Sequence, residues 1–492
     1  MFPNLPDRRA AEAPDSPCVA DDTAALTNAD FLDAVQRGAA TLRRHGIGLG
    51  DVVAVMLPNT IDLVVALFAA WRLGAAVTPL NPALSAAEAA FQVTDAGAKV
   101  IIAAGPPTFE VPAAALIPAD LTSGPASGDV APCSDADVLA LLIYTSGTTG
   151  RPKGVMLDHA NLNAMCDMVI EAFELTAADH SLLILPLFHV NGIVVSTLSP
   201  LLVGGCTTIA GRFDAKTFFS RVESSAATYF SAVPTIYTML AGLPEDLVPD
   251  TSSLRFAVCG AAPASVELLE RFERRFGVPI VEGYGLSEGS CASTGNPLHG
   301  KRKPGTVGLP LPGQRIRIAD PDGHEVPHGQ AGEVLIAGPN VMRGYLNRRE
   351  ETAATLVGGW LHTGDIGRLD DDGYLVLVDR AKDMIIRGGE NIYPKEIETV
   401  AYRLPGVAEA AVVGRANALY GEEPVMFVAT SPGSSIDIDQ IQRHLADSLS
   451  KYKRPVDITF LDELPKNAVG KIDKPSLRRR VASSQQPTKQ GK

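Results

Sequence analysis

Apolar and polar residues alternate in blocks through the first three hundred positions. Val52-Val-Ala-Val-Met-Leu57 is a short continuous apolar run, the pattern of a strand buried on both faces. Residues 59–73 carry a longer apolar segment interrupted by Asp62 and Arg72, which predicts a helix. Ala75-Ala-Val-Thr-Pro79 predicts a strand, a helix follows from about Ser85, and Lys99-Val-Ile-Ile-Ala103 predicts another strand. This βαβ rhythm implies a parallel or mixed sheet. It continues at 181–185, 206–209, 229–233 and 255–258. After Gly305 short β-type segments with Gly-rich turns take over, at 314–318, 332–336 and 373–378, and predict a small barrel or sheet. Beyond Asp379-Arg-Ala-Lys-Asp383 the pattern changes again. A helix at 394–403, strands at 408–413 and 423–429 and a helix at 436–449 predict a small α+β domain. The expected fold class is therefore α/β. Doubly wound sheets with a barrel-like part at about 305–380 fill residues 1–380, an α+β domain fills 381–482, and 483–492 form a polar tail.

Composition narrows the classes. A chain of 492 residues is long enough for two or more domains, each with its own core. A net charge of −13 and a pI near 5.2 argue against a general nucleic-acid binder, whose footprint is basic. A 46% hydrophobic content argues against disorder away from the termini. The six cysteines are scattered with no CxxC pair, so a zinc site or a disulfide framework is not expected. Reduced thiols in a cytoplasm are the simple expectation. The first residues lack a signal-peptide apolar core. The longest apolar stretch, 61–77, is broken by Asp62, Arg72 and Gly74 and is too short to span a bilayer.

The chemistry concentrates first at Leu141-Leu-Ile-Tyr-Thr-Ser-Gly-Thr-Thr-Gly-Arg-Pro-Lys-Gly154. A strand-like run opens into a loop of small hydroxyls and glycines closed by a lysine. Thr145, Ser146, Thr148 and Thr149 supply hydroxyl donors. Gly147, Gly150 and Gly154 let backbone N–H groups face an anion, and Lys153 adds a point charge. Such a loop suits a polyphosphate. It is not a Walker A loop, because Pro152 stands where the second glycine is required.

This loop resembles the phosphate loop of the adenylate-forming superfamily: acyl-CoA synthetases, peptide-synthetase adenylation domains and luciferases. The resemblance recurs in order from about Leu42 to Lys474. It implies that Thr145, Ser146, Gly147, Thr148, Thr149, Gly150 and Lys153 grip the triphosphate of ATP. In Glu282-Gly-Tyr-Gly-Leu-Ser-Glu288 it implies that Tyr284 packs on adenine, between Gly283 and Gly285. Ser287, in place of the family's usual threonine, bonds the α-phosphate, and Glu288 holds Mg2+. In Leu361-His-Thr-Gly-Asp365 the aspartate would accept from both ribose hydroxyls, backed by Arg380. Gly260-Ala261-Ala262 would lie against adenine and the acyl pocket; a strand-end turn explains each residue singly just as well. Lys471, after a glycine, would bridge the carboxylate and the α-phosphate. Its neighbours Lys466 and Lys474 are left with the default for lysine, exposure to solvent.

The resemblance also implies a second half-reaction. The small C-terminal domain would turn about Lys382 and bring in Arg387-Gly388-Gly389-Glu390, with Gly389 against the pantetheine of coenzyme A. This form is closer to CoA ligases than to the other branches. His189 matches a position at the mouth of the acyl pocket, although a core histidine held by a carbonyl fits its surroundings nearly as well. Val190, Val233, Gly260 and Gly285 join it as candidate pocket residues. The segment 229–240 contains no charge, and neither does 258–264, which favours a hydrophobic monocarboxylic acid over a dicarboxylate. The expected activity is an ATP- and Mg2+-dependent acid:CoA ligase acting on small molecules. The rivals are an acyl-AMP ligase that loads a carrier protein and a non-catalytic nucleotide- or acyl-binding protein.

Overall fold

The computed structural model describes residues 2–105, 109, 115–118, 121, 130–135, 137–145, 152–262, 264–380, 383–388, 390–417, 419–431, 433–466 and 471–484. The chain divides into two compact units. One comprises residues 1–264, 268–316 and 336–362, and the other 265–267, 317–335 and 363–492.

The first unit contains two large sheets. In one, the strands Pro17–Ala20, Cys206–Ile209, His180–Leu183, Tyr229–Ala232, Phe256–Cys259 and Ile280–Tyr284 lie side by side and parallel. In the other, Ala115–Pro118, Val100–Ala103, Val52–Met56, Ala76–Pro79 and Leu139–Thr145 run parallel, and Lys153–Asp158 and Gly344–Tyr345 add antiparallel strands at one edge. The expected βαβ rhythm is present. Its strands are nearly all buried because helices cover such sheets, so continuous apolar runs rather than alternating ones encode them. The helix Ile61–Arg72 is buried all round, as a core helix is. Among the described residues no helix is long and apolar enough to cross a membrane.

Two arginines that look unremarkable in the sequence lock the N-terminal helix Leu5–Glu12 in place. Arg9 is buried and donates to Asn28 Oδ1 at 2.7 Å and to the carbonyls of Leu201 and Gly205 at 2.6 and 2.8 Å. Arg72 is buried and grips the Asp7 carboxylate with both terminal nitrogens, at 2.6 and 2.9 Å. A buried guanidinium is tolerable only when it is paired and hydrogen-bonded in this way.

In the second unit, residues 363–369 of the strand Trp360–Leu369 run beside Leu375–Arg380, paired from Asp365↔Arg380 to Leu369↔Leu375. Further along, Glu390–Ile392, Ile385–Arg387, Gly421–Thr430 and Val407–Asn417 form a sheet, with Asp457–Phe460 parallel to Gly421–Thr430. Alternation along Val407–Asn417 gives this sheet two apolar faces. Val407, Ala410 and Val412 pack with residues of the helices Pro394–Tyr402 and Ile438–Ser448, whereas Ala411 and Val413 pack with Leu477 and Val481 of Lys474–Ser484. The helix at 438 starts on a capping box, Asp437 with Gln440.

Lys474 departs from the expectation of exposure. Its ammonium lies 2.8 Å from the Glu398 carboxylate, with both side chains mostly buried. Burial alone would lower its pKa, but the charges of Glu398 and Asp379 outweigh that and raise it. Glu398 also accepts from the Val412 N–H at 2.7 Å. Lys466 is exposed, as expected, and pairs with Glu409 at 2.8 Å.

Candidate active site

The hydroxyl- and glycine-rich loop is mounted between two antiparallel strands. Thr145 closes Leu139–Thr145 and lies opposite Lys153, the first residue of Lys153–Asp158. Ser146, Gly147, Thr148, Thr149 and Gly150 lie outside the described residues. Gly154 does not act as an anion-facing turn. It lies in a strand, and a Cβ there would stand 3.2 Å from Cζ of the Tyr144 ring. The missing side chain makes room for that ring, whose hydroxyl donates to Asp95 Oδ2 at 2.9 Å. Lys153 is mostly buried; its ammonium touches the Glu351 carboxylate and lies 5.1 Å from the centre of the Tyr345 ring.

The strand Ile280–Tyr284 feeds a tight turn, Ser287–Gly289. Glu282 and Tyr284 are buried, and Ser287 and Glu288 are half-buried. The glycines here are steric requirements. A Cβ on Gly283 would come within 2.8 Å of the Thr294 carbonyl oxygen, and one on Gly285 within 1.9 Å of that of Cys291. Gly260 faces the Gly283 carbonyl from the neighbouring strand, at 3.5 Å for an added Cβ. Ala261 follows with φ +68°, a left-handed conformation uncommon for alanine, and Ala262 is half-buried. Glu288 is held at both ends. Its carbonyl accepts from the Met342 N–H at 2.8 Å, and its Oε1 from the Tyr345 hydroxyl at 2.9 Å. A carboxylate has further lone pairs, so this one can also meet a hard cation. Mg2+ needs only one or two carboxylates when phosphates and waters supply its other ligands, and Glu288 fits that demand.

His189 is half-buried, precedes the short helix Val190–Ile193, and packs on Phe188 with ring centres 4.6 Å apart. The backbone then widens into a π-helical turn, Val194–Leu198, a feature no periodicity revealed. Val190 is buried, and Val233 packs against the core of the first sheet. Phe230 and Tyr237 belong to that core, and Tyr229 is fully buried. The Tyr229 and Tyr237 hydroxyls donate to the carbonyls of Val195 and Val258 at 2.7 and 2.8 Å.

The second unit gathers Asp365, Arg380 and Lys471. Asp365 and Arg380 are cross-strand partners, with Nε 2.8 Å from Oδ1, and Asp365 is only 4% exposed. Lys471 senses both. Crowding by protein and the positive Arg380 lower its pKa, against the opposing pull of Asp365. Nearby in sequence, Arg387 pairs with Glu390 at the end of a two-stranded turn, and Gly388 takes φ +60°. Arg387 donates to the Tyr452 carbonyl at 2.7 Å and lies over the Tyr420 ring. Gly389 and Lys382 lie outside the described residues.

Two parallel sheets, an antiparallel-mounted hydroxyl and glycine loop, and a separate unit carrying the aspartate, arginine and lysine outline an adenylate-forming enzyme. The chain belongs to the AMP-binding enzyme family, whose model matches residues 6–346; the AMP-binding enzyme C-terminal domain matches residues 396–471. A feruloyl-CoA synthase from Amycolatopsis sp is 39% identical over 487 residues, covering 96% of this chain and 98% of that enzyme. The crystal structure of ATP-bound MatB from Rhodopseudomonas palustris superposes with a TM-score of 0.91 at 31% identity, over 99% of this chain and 100% of that one. The o-succinylbenzoate coenzyme A synthetase MenE from Bacillus subtilis, in complex with ATP and magnesium ion, gives a TM-score of 0.88 at 31% identity, over 97% of this chain and 99% of its own. The protein is an ATP-dependent, AMP-forming acid:CoA ligase that uses ATP, Mg2+ and coenzyme A.

Proposed function

We propose that the acid is a hydrophobic monocarboxylate, with aryl acids of the feruloyl type the first to test. One observation carries this. The segment 229–240 and the strand Phe256–Cys259 with Gly260, Ala261 and Ala262 offer no charged side chain that could hold a second carboxylate. The feruloyl-CoA synthase relative supports the aryl choice.

In the first half-reaction a carboxylate oxygen of the acid attacks the α-phosphorus of ATP. The bond to the bridging oxygen breaks and pyrophosphate leaves. Thr145, Lys153 and the loop residues between them neutralise the triphosphate. Glu288 would hold Mg2+, which supplies charge stabilisation on the phosphates. Tyr284, with Gly283 and Gly285, takes the adenine, Ser287 the α-phosphate, and Asp365 with Arg380 the ribose. Lys471 offsets the repulsion between the two approaching anions, and His189 orients the carboxylate. In the second half-reaction the thiolate of coenzyme A attacks the acyl carbonyl and AMP departs. A turn of residues 381–482 about Lys382 exchanges Lys471 for the Arg387–Glu390 segment, with Gly389 against the pantetheine. The acidic chain and its six free thiols suit a reducing cytoplasm.

The test is a mass-spectrometric screen with ATP, Mg2+, coenzyme A and a panel of aliphatic, aryl and dicarboxylic acids, reading acyl-AMP and acyl-CoA together. Aryl or aliphatic thioesters support the proposal, and turnover confined to dicarboxylates sinks it. Acyl-AMP without thioester moves the acceptor to a carrier protein. Lys471→Ala should abolish adenylation yet still convert supplied acyl adenylate to thioester. Equal loss of both steps would remove Lys471 from its assigned role.

A further inference from the structure

The phosphate-loop lysine already has an anionic partner in the protein, and that partner is built into place. Glu351 sits in the first turn of the helix Arg349–Thr355, and its carboxylate touches the Lys153 ammonium. The Lys153 side chain is 13% exposed and that of Glu351 34%. The helix is fastened to the edge strand Gly344–Tyr345. The Tyr345 N–H donates to Thr352 Oγ1 at 2.9 Å, and a Cβ on Gly344 would collide with Thr352 Cγ2 at 2.5 Å. That strand pairs in turn with Lys153–Asp158, Tyr345 opposite Val155. Behind Glu351, Arg348 Nη2 lies 3.3 Å from Asp95 Oδ1, on the helix whose aspartate also receives the Tyr144 hydroxyl. The Tyr345 ring lies beneath the Lys153 ammonium while its hydroxyl holds Glu288.

We propose that Glu351 is an exchangeable counter-ion for Lys153, a positioning residue that holds the ammonium over Tyr345 and yields it to the incoming triphosphate. The inference rests on the proposed role of Lys153 at the phosphates. The same carboxylate competes with both phosphate ligands of the reaction, ATP entering and pyrophosphate leaving. By regaining the lysine it favours pyrophosphate departure. The triphosphate offers the ammonium several anionic oxygens in place of one carboxylate, and the carboxylate's competition is worth about threefold to tenfold in apparent affinity.

The experiment measures the KM for ATP and the product-inhibition constant of pyrophosphate in the full-length enzyme, for Glu351→Gln, Glu351→Asp, Lys153→Met and the Lys153→Met/Glu351→Gln double variant. Glu351→Gln should lower both constants together by about threefold to tenfold, and Glu351→Asp, which keeps the charge, should restore them toward the wild type. A merely structural glutamate would not tighten binding when it is removed. In the Lys153→Met background the Glu351→Gln change should have no further effect on either constant. Constants that rise or stay put in Glu351→Gln, while Lys153→Met raises both, overturn the counter-ion role alone. If Lys153→Met leaves both unchanged, the lysine's place at the phosphates fails as well.

Discussion

His159 begins the helix that follows the strand Lys153–Asp158, so its stability bears on the mount of the phosphate loop. The ring is 1% exposed, packed edge-on against Trp71 at 5.5 Å and tilted on Phe2 at 6.2 Å. Among the described residues neither ring nitrogen has a hydrogen-bond partner. Burial disfavours the imidazolium and lowers the pKa from 6.5 to about 4. The unfolded chain therefore takes up a proton near pH 6.5, whereas the folded protein does so only near pH 4. Between those values the unfolded state binds more protons, and stability falls as pH falls. The gap, at about 1.4 kcal/mol per pH unit, is worth roughly 3 kcal/mol in full, of which about 2 kcal/mol is lost between pH 6.5 and 5. His159→Phe removes this linkage and also the two unsatisfied nitrogens, so at pH 7.5 the variant should be at least as stable as the wild type. Urea unfolding of both proteins at pH 7.5, 6.5 and 5 reads the difference. Carboxylates elsewhere contribute equally to both curves and cancel. If the two proteins lose stability in parallel from pH 6.5 to 5, the histidine is not the buried neutral group described here.

Gly285→Ala should raise the KM for ATP at least tenfold and lower the thermal midpoint. The added Cβ meets backbone at 1.9 and 2.6 Å, and overpacking against backbone costs about 1–3 kcal/mol or more; unchanged values of both would mean the turn relaxes freely. Lys474→Ala strands Glu398 and Asp379 without their cation and should destabilise the C-terminal sheet by about 3 kcal/mol. Protection of the amides of Gly421–Thr430 in hydrogen exchange would fall accordingly, and unaltered protection would reduce the pair to a surface contact. Gly389→Trp should spare adenylation and block thioester formation from supplied acyl adenylate; equal slowing of both steps would place Gly389 outside the thiol's path.

Much of this molecule was legible before any coordinates. Apolar runs marked the strands Val52–Met56, Tyr229–Ala232 and Phe256–Cys259 to within a residue or two, because buried parallel strands leave that mark on the chain itself. The order of short motifs, from the hydroxyl and glycine loop to the lysine at 471, was equally readable. The boundary near 380 reflects a change in local pattern, whereas the compact unit holding the C-terminal residues begins at Thr363 and takes in residues 317–335. The short antiparallel edge strand Gly344–Tyr345 and the π-helical turn at 194–198 have no periodic signature and went unread.

The sequence by itself determined which segments are strands and helices, which family of chemistry they serve, and which residue types are available to it. Those properties are local, set by spacing and composition over a few residues. The tertiary structure decided which of those residues are partnered. Lys474 reads as a solvent-facing charge and proves mostly buried and paired, the buried Arg9 and Arg72 find their partners only in the fold, and Gly154 reads as a turn for an anion and proves to be clearance for Tyr144. Glu351 carries no signal in the chain until it lies on Lys153, nearly two hundred residues away. Burial and charge pairing depend on groups distant in sequence, and only the folded chain brings those groups within the few ångströms over which a desolvated charge is stabilised.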